Sequence, residues 1–199
     1  FNARHSLRTG IYYNVNNFSL LKRILNSDNN LMEDHLNAGG EYATLQAFGS
    51  WKFRVNERLT LVNGVHTIWL PMNGTYSVEP RLAARYQLDE NKTVTLGYGL
   101  HGQTQPIGIY KAQVINADGS YRKPNENLGM NKSHHIVIGY EHLLNKHLYL
   151  KTEVYYQHLY NIAIAADTSS LLSSLNNVDS YITDELVTSG KGRNFGLDL

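Results

Sequence analysis

The chain of 199 residues contains no cysteine, which excludes a disulfide framework and all thiolate chemistry. No apolar run reaches the roughly 18 residues that a membrane-crossing helix requires, so a helical membrane protein is excluded. An excess of either charge is also lacking, since 18 Lys and Arg face 17 Asp and Glu for a formal net charge of +1. Basic residues are nowhere clustered among aromatics, and nucleic acid is therefore not an expected partner. Phe1 is not preceded by the basic, apolar and small-residue segments of a secretory leader. The other end, Asn194-Phe-Gly-Leu-Asp-Leu199, stops inside an alternating run. Both ends suggest a piece of a longer protein.

Hydrophobic residues make up 42% of the chain, and 14 Tyr stand against 5 Phe. Tyrosine suits surfaces that are half apolar and half wet, such as a membrane interface. The arrangement of these residues is more informative than their number. From Tyr76 to Leu88, the residues Tyr76, Val78, Pro80, Leu82, Ala84, Tyr86 and Leu88 share one face, and Ser77, Glu79, Arg81, Ala83, Arg85 and Gln87 share the other. After the polar turn Asp89-Glu-Asn-Lys92, the residues Val94, Leu96, Tyr98 and Leu100 alternate with Thr95, Gly97, Gly99, His101, Gln103 and Gln105. A period of two means strands, and the turn makes them an antiparallel hairpin. Each arm is about twice the usual 5 to 6 residues of a soluble strand. Roughly 9 to 11 tilted residues cross a bilayer core, so the arms are long enough to cross. A mean hydropathy of −0.38 does not oppose this, because the strands of a membrane barrel alternate and its loops are polar.

The same alternation recurs along the chain. It predicts strands over residues 3–15, 43–55, 58–70, 134–144 and 148–162, with a last strand beginning near Arg193. Phe48 is the misfit of the second of these, and Val62 and Ile68 fall on the polar side of the third. Polar connections are expected from Asn26 to Gly40, from Pro106 to Lys132 and from Ala165 to Gly192, with a helical turn within Phe18–Leu25. Tight turns at Asn56-Glu57, Asp89 to Lys92 and Asn145-Lys146 alternate with mostly long loops. Sorting by parity in this way is the pattern of an outer-membrane barrel. Pro80 cannot donate a ladder hydrogen bond, so a bulge or local break is expected there.

Several strings carry a family likeness. They are Ser77-Val-Glu-Pro-Arg-Leu-Ala-Ala-Arg-Tyr-Gln-Leu88, the following Leu96-Gly-Tyr-Gly-Leu-His-Gly-Gln-Thr-Gln-Pro106, Asp179-Ser-Tyr-Ile-Thr-Asp-Glu-Leu186, and Gly190-Lys-Gly-Arg-Asn-Phe-Gly-Leu197. Together they resemble TonB-dependent outer-membrane transporters, most closely the Bacteroidota receptors that carry a carboxypeptidase-regulatory-like domain. The resemblance implies an all-β fold, with residues 1–199 forming one antiparallel transmembrane β-barrel segment of about eight meandering strands. The parent barrel would have about 22 strands. It also implies localisation in the bacterial outer membrane and energy-coupled uptake of a nutrient. The implied partners are a plug domain, the remaining strands, outer-membrane lipid, a nutrient ligand, and TonB through an N-terminal part that this chain does not include. No plug or signal segment is present in the sequence. The alternative is a small autonomous outer-membrane barrel that serves as an adhesin or structural anchor.

Candidate residues follow from the faces. Glu79, Arg81, Arg85, His101, Gln103, Gln105, Lys151 and Glu153 would form a polar wall toward the lumen, or simply a satisfied ladder of cross-strand charges. Trp51, Phe53 and Tyr86 near the tight turns, and Trp69 and Tyr76 near the long loops, would form two aromatic girdles. No cofactor is called for. The nine histidines show no zinc-ligand spacing, and the serines and carboxylates form no nucleophile elbow or triad spacing. Neither a metal site nor catalysis is expected.

Overall fold

A computed structural model describes residues 4–28, 30–116, 118–176 and 182–199. Ten strands and one helical turn form in the order β1 (His5–Asn26), β2 (Leu31–Arg54), β3 (Leu59–Leu70), β4 (Thr75–Gln87), β5 (Lys92–Gln103), α1 (Ile107–Tyr110), β6 (Val114–Ile115), β7 (Tyr121–Arg122), β8 (Asn131–Asn145), β9 (Leu148–Ala165) and β10 (Leu186–Asp198). Eight of the strands make one antiparallel sheet, β1-β2-β3-β4-β5-β8-β9-β10, which is curled into a half-barrel. The small β6-β7 hairpin stands apart from it. An antiparallel meander of membrane-crossing strands is the architecture the alternation predicts.

Residues directly opposite each other in a ladder share a face, so the registers fix which side every residue occupies. Leu7, Trp51 and Asn63 are on one side with Val65, Leu82, Tyr98, Ile136 and Tyr156. The other side carries Arg8, Ser50, Gly64, Arg81, Gly99, His135 and Gln157. The first side is apolar and exposed: Ile11, Val78, Leu82, Leu96, Ile138, Val154 and Phe195 all lie open. Within the regular sheet, Ser77, Glu79, Thr93 and Ser133 are buried, and all are on the polar side. Such crowding identifies the polar side as the concave one. Phe48 faces the concave side too. Its ring lies over Gly10, where a Cβ would collide with it, and stacks on Tyr12 at 6.0 Å.

The three tight turns share one device. Asn56 Oδ1 accepts from the N–H groups of Arg58 and Leu59, Asp89 Oδ1 from that of Asn91, and Asn145 Oδ1 from that of His147. An Asn or Asp bonding the backbone two residues on reverses the chain without glycine. The Asn91 N–H, with Lys92 beside it, holds the Asp89 carboxyl below the usual carboxylate range.

Other expectations fail at the opposite end of the sheet. Phe18–Leu25 is not a helical turn, and residues 31–40 are not loop. β1 and β2 continue as a paired ribbon, Phe18 opposite Gly40 and Leu25 opposite Met32, and reverse only between Asn26 and Leu31. Pairing satisfies their backbone regardless of side-chain polarity, and so the polar sequence misled. The last strand begins at Leu186 rather than near Arg193, and irregular register between Val187 and Gly192 broke the alternation. Ala3 and residues 179–181 of the Asp179 string lie outside the described residues.

Pro80 does cause a break. The β4–β5 ladder runs from Gln87 opposite Thr93 to Arg81 opposite Gly99, and ends there. Pro80 has no N–H to continue it. Two residues farther on, Gly102 N–H donates 2.8 Å to the Glu79 side chain.

Candidate functional site

The break at Pro80 creates the central feature of the concave face. Glu79 is 2% exposed, and its carboxylate accepts from Gly102 N–H, from His66 Nδ1 at 2.9 Å and from Arg81 Nη2 at 3.2 Å. A buried carboxylate is tolerated where hydrogen bonds and opposite charge surround it. The carboxylate can only accept, so Nδ1 of His66 carries the proton. Its Nε2 lies 3.1 Å from the Gln46 side-chain amide. Gly102 permits this approach, since a Cβ there would meet Ser77 Oγ at 2.7 Å and Glu79 Oε1 at 2.9 Å. The polar band continues through His101 and His135, whose rings are 4.5 Å apart, to Gln157, 3.4 Å from His135, and to Asn194, which donates 3.1 Å to Gln157. It thus crosses the sheet from β2 to β10.

A cavity of about 550 Å³ lies over this band, lined by Tyr12, Phe48, His66, Arg81, His101 and His135 among others. Aromatic faces and convergent polar groups around one concavity are the usual make-up of a ligand site. Beside the band, Ser77 and Ser133 are buried, yet neither hydroxyl has a hydrogen-bond partner among the described residues. Buried polar groups without partners are rare, and these two flank His101, with Ser133 directly opposite it.

The long loops close over the same end. The described residues of 104–130 and 166–185 fold together around Leu70, Ile109, Tyr110, Leu128, Met130, Ala163, Ile182 and Leu186, the one buried apolar cluster among the described residues. Asn125 is fully buried and joins the loops, donating 2.8 Å to Asp184 O and accepting 2.9 Å from Leu186 N–H. Asn131 does the same lower down: its Oδ1 accepts from Gln105 Nε2 and Ala163 N–H, and its Nδ2 donates to Ser174. Arg122 bonds Glu185 at 2.6 Å, which holds that carboxyl below its ordinary range. Burial raises the Tyr110 hydroxyl, which accepts from Gln105 N–H. A backbone bond from Gln113 N–H to His35 O ties the cap to the β1–β2 ribbon.

Among the residues expected in the polar wall, Glu79, Arg81, Arg85, His101, Gln103, Lys151 and Glu153 lie on the concave face. Arg85 pairs with Glu141 at 3.0 Å and Lys151 with Glu153 at 2.9 Å, nearer the tight turns. Gln105 is not on that strand: β5 ends at Gln103, and Gln105 is buried in the cap. Sequence reasoning missed Gln46, His66, His135 and Gln157, which parity alone places on this face. It also missed Asn125 and Asn131, which nothing in their neighbours marks. Of the expected aromatics, Trp51 and Phe53 stack with His5 at the tight-turn end, Tyr86 sits opposite Leu59, and Trp69 faces Tyr76 across the β3–β4 ladder at the loop end. All five are on the convex face. No three His, Asp or Glu among the described residues are gathered as metal ligands.

No family model and no curated protein matches the chain. Solved structures do. The siderophore receptor PirA from Pseudomonas aeruginosa superposes with a TM-score of 0.63 at 15% identity, over 97% of this chain and 35% of its own. The ferric-catecholate import receptor Fiu from E. coli K12 gives 0.62 at 15%, over 97% and 32%. The RagAB peptide transporter gives 0.64 at 13%, over 98% and 25%. The likeness is one of fold: the curled eight-strand sheet matches a segment of the β-barrels of these proteins. The chain spans between a quarter and about a third of the length of these neighbours.

Proposed function

We infer that the chain is a wall segment of an outer-membrane receptor that imports a nutrient. The concave polar band would face the lumen, the convex face would meet lipid, and the two-loop cap would lie outside the cell. The observation that carries this reading is the pairing of unlike faces with a cap. Bilayer-length strands expose apolar residues on one side, a cavity of about 550 Å³ lies among the polar groups of the other, and the long loops pack on one apolar cluster at the end of the strands. Energy coupling through TonB and occupation of the lumen by a plug are part of the same reading, supplied from outside these eight strands. The girdle roles of Trp51, Phe53, Trp69, Tyr76 and Tyr86 belong to it as well.

The neighbours handle siderophores, ferric catecholates and peptides by their names, cargo that is polar and too large for simple diffusion. Here the cavity would present Arg81 and the imidazoles of His66, His101 and His135 to acceptor groups, and Tyr12 with Phe48 to an apolar part. Binding is the proposed role.

The test uses the full-length protein in its native host. A deletion strain should lose growth on one sole nutrient source, and replacing residues 107–128 with a short Gly-Ser linker should reproduce that loss while the protein still assembles in the membrane. Unchanged growth of the deletion strain on every source, or recovery of the full-length protein in the aqueous fraction without detergent, would overturn the reading.

A further inference from the structure

On the convex face of the last three strands of the sheet, β8, β9 and β10, side chains change character at a single level. Counting up from the tight turns, β8 presents Leu144, His142, Tyr140, Ile138 and Ile136, and then His134 and Lys132. β9 presents Leu148, Leu150, Thr152, Val154 and Tyr156, and then His158 and Tyr160; β10 presents Leu197 and Phe195, and then Arg193. The registers align these changes. Ile136, Tyr156 and Phe195 are one rung, and His134, His158 and Arg193 are the next. Lys132 lies opposite Tyr160 one rung higher. Below the change, β8 and β9 run for roughly the 9 to 11 residues that a tilted strand uses to cross hydrocarbon.

Parity alone does not require basic groups here. Convex positions on β5, β8, β9 and β10 hold no Asp or Glu at all, whereas the concave face of the same strands holds Glu141, Glu153 and Asp198. Among the described residues, the ammonium of Lys132 and the guanidinium of Arg193 have no acidic partner, in contrast to Arg81, Arg85 and Lys151 behind them. The aromatic groups are ordered by one another: Tyr98, His134, His158 and Tyr160 form a stack with ring centroids 5.2 to 6.5 Å apart. Tyr98 Oη is 3.0 Å from His134 Nδ1. With that hydroxyl donating, Nε2–H of His134 is left to donate outward.

We propose that this row binds the phosphate-bearing headgroup of an anionic membrane lipid, whose acyl chains lie on Ile136, Ile138, Val154, Tyr156 and Phe195. Arg193 and Lys132 supply the charge, the two imidazoles supply N–H donors, and Tyr98 and Tyr160 hold the rings upright at the depth where such headgroups sit. A planar guanidinium is the side chain best fitted to a phosphate. The site rests on the orientation argued under Proposed function, because only a bilayer around the convex face brings headgroups to this level.

The experiment uses the full-length protein in nanodiscs of phosphatidylcholine doped with a bis-phosphorylated glycolipid, with its dephosphorylated counterpart, or with phosphatidylglycerol. Lipid retained after detergent exchange is read by native mass spectrometry. The phosphorylated glycolipid or phosphatidylglycerol should be retained at least about tenfold over the dephosphorylated glycolipid, and the glycolipid arm against the phosphatidylglycerol arm identifies the source. Lys132→Gln with Arg193→Gln should abolish the preference, and Lys151→Gln on the concave face should leave it intact. Equal retention of phosphorylated and dephosphorylated lipid by the unaltered protein overturns the proposal, with no need for a variant to fold. Orientation is read separately from a label at Leu197→Cys: quenching by brominated acyl chains keeps the membrane reading even if lipid preference fails, and no quenching sinks both.

Discussion

Glu79 is the residue on which most of the concave wall converges. Replacing it with Ala would leave Gly102 N–H and His66 Nδ1 without acceptors in a buried setting, a loss of about 1 to 3 kcal/mol. Glu79→Gln keeps an acceptor for Gly102 and should cost less. Thermal unfolding of the assembled protein in detergent orders the three proteins, and equal midpoints would show that the band is not coupled. Leu96 and Thr95 test the faces. Leu96 is convex and half exposed, so Leu96→Arg sets a charge against hydrocarbon and should cost about 2 to 4 kcal/mol if near the midplane. Thr95→Glu falls beside Arg85, its partner across the ladder, and should be tolerated. Heat-modified mobility on gels distinguishes assembled from unassembled protein, and equal behaviour of the two variants would refute the assignment of faces.

At the scale of elements the cap is the unit most open to perturbation. Asn125→Ala removes both bonds between the loops and leaves Leu186 N–H unpaired; protease cleavage within residues 104–130 and 166–185 should quicken while the sheet stays protected. The Arg122–Glu185 pair adds a pH dependence. The bond from Arg122 lowers the folded-state value for Glu185, so the contact supports closure above the ordinary glutamate range near about 4.3. Closure weakens as pH falls through the lowered folded value. Cleavage of the cap should therefore rise below about pH 4, and Glu185→Gln should flatten that rise. Both groups are largely exposed, so high salt should reduce the effect.

For the whole molecule, the controlling fact is that, among the described residues, β1 pairs only with β2 and β10 only with β9. Their outer edges have no neighbouring strand among the described residues, and the convex face exposes apolar side chains. Both favour association with other chains. The 199-residue chain expressed by itself should self-associate in water and form mixed oligomers in detergent. In the full-length protein the same strands should gain neighbours and give a single species by light scattering. A monodisperse, water-soluble 199-residue chain would mean that the edges close in some other way.

The alternation of side chains determined the strands, the two faces, the three Asn- and Asp-based tight turns and the side on which each wall residue lies. A period of two is a local property, visible without partners. It also located the break at Pro80, because a missing N–H is a property of the residue itself. Only the tertiary structure decided what the polar stretches do. Residues 18–25 and 31–40 became strand because each supplies the other's hydrogen bonds, a fact that lies in neither segment alone. The cap, with Asn125 and Asn131 at its joints, and the aligned row of His134, His158 and Arg193 depend on register between segments distant in the chain. Register is set by pairing energy summed over whole strands, and no single stretch of sequence records it.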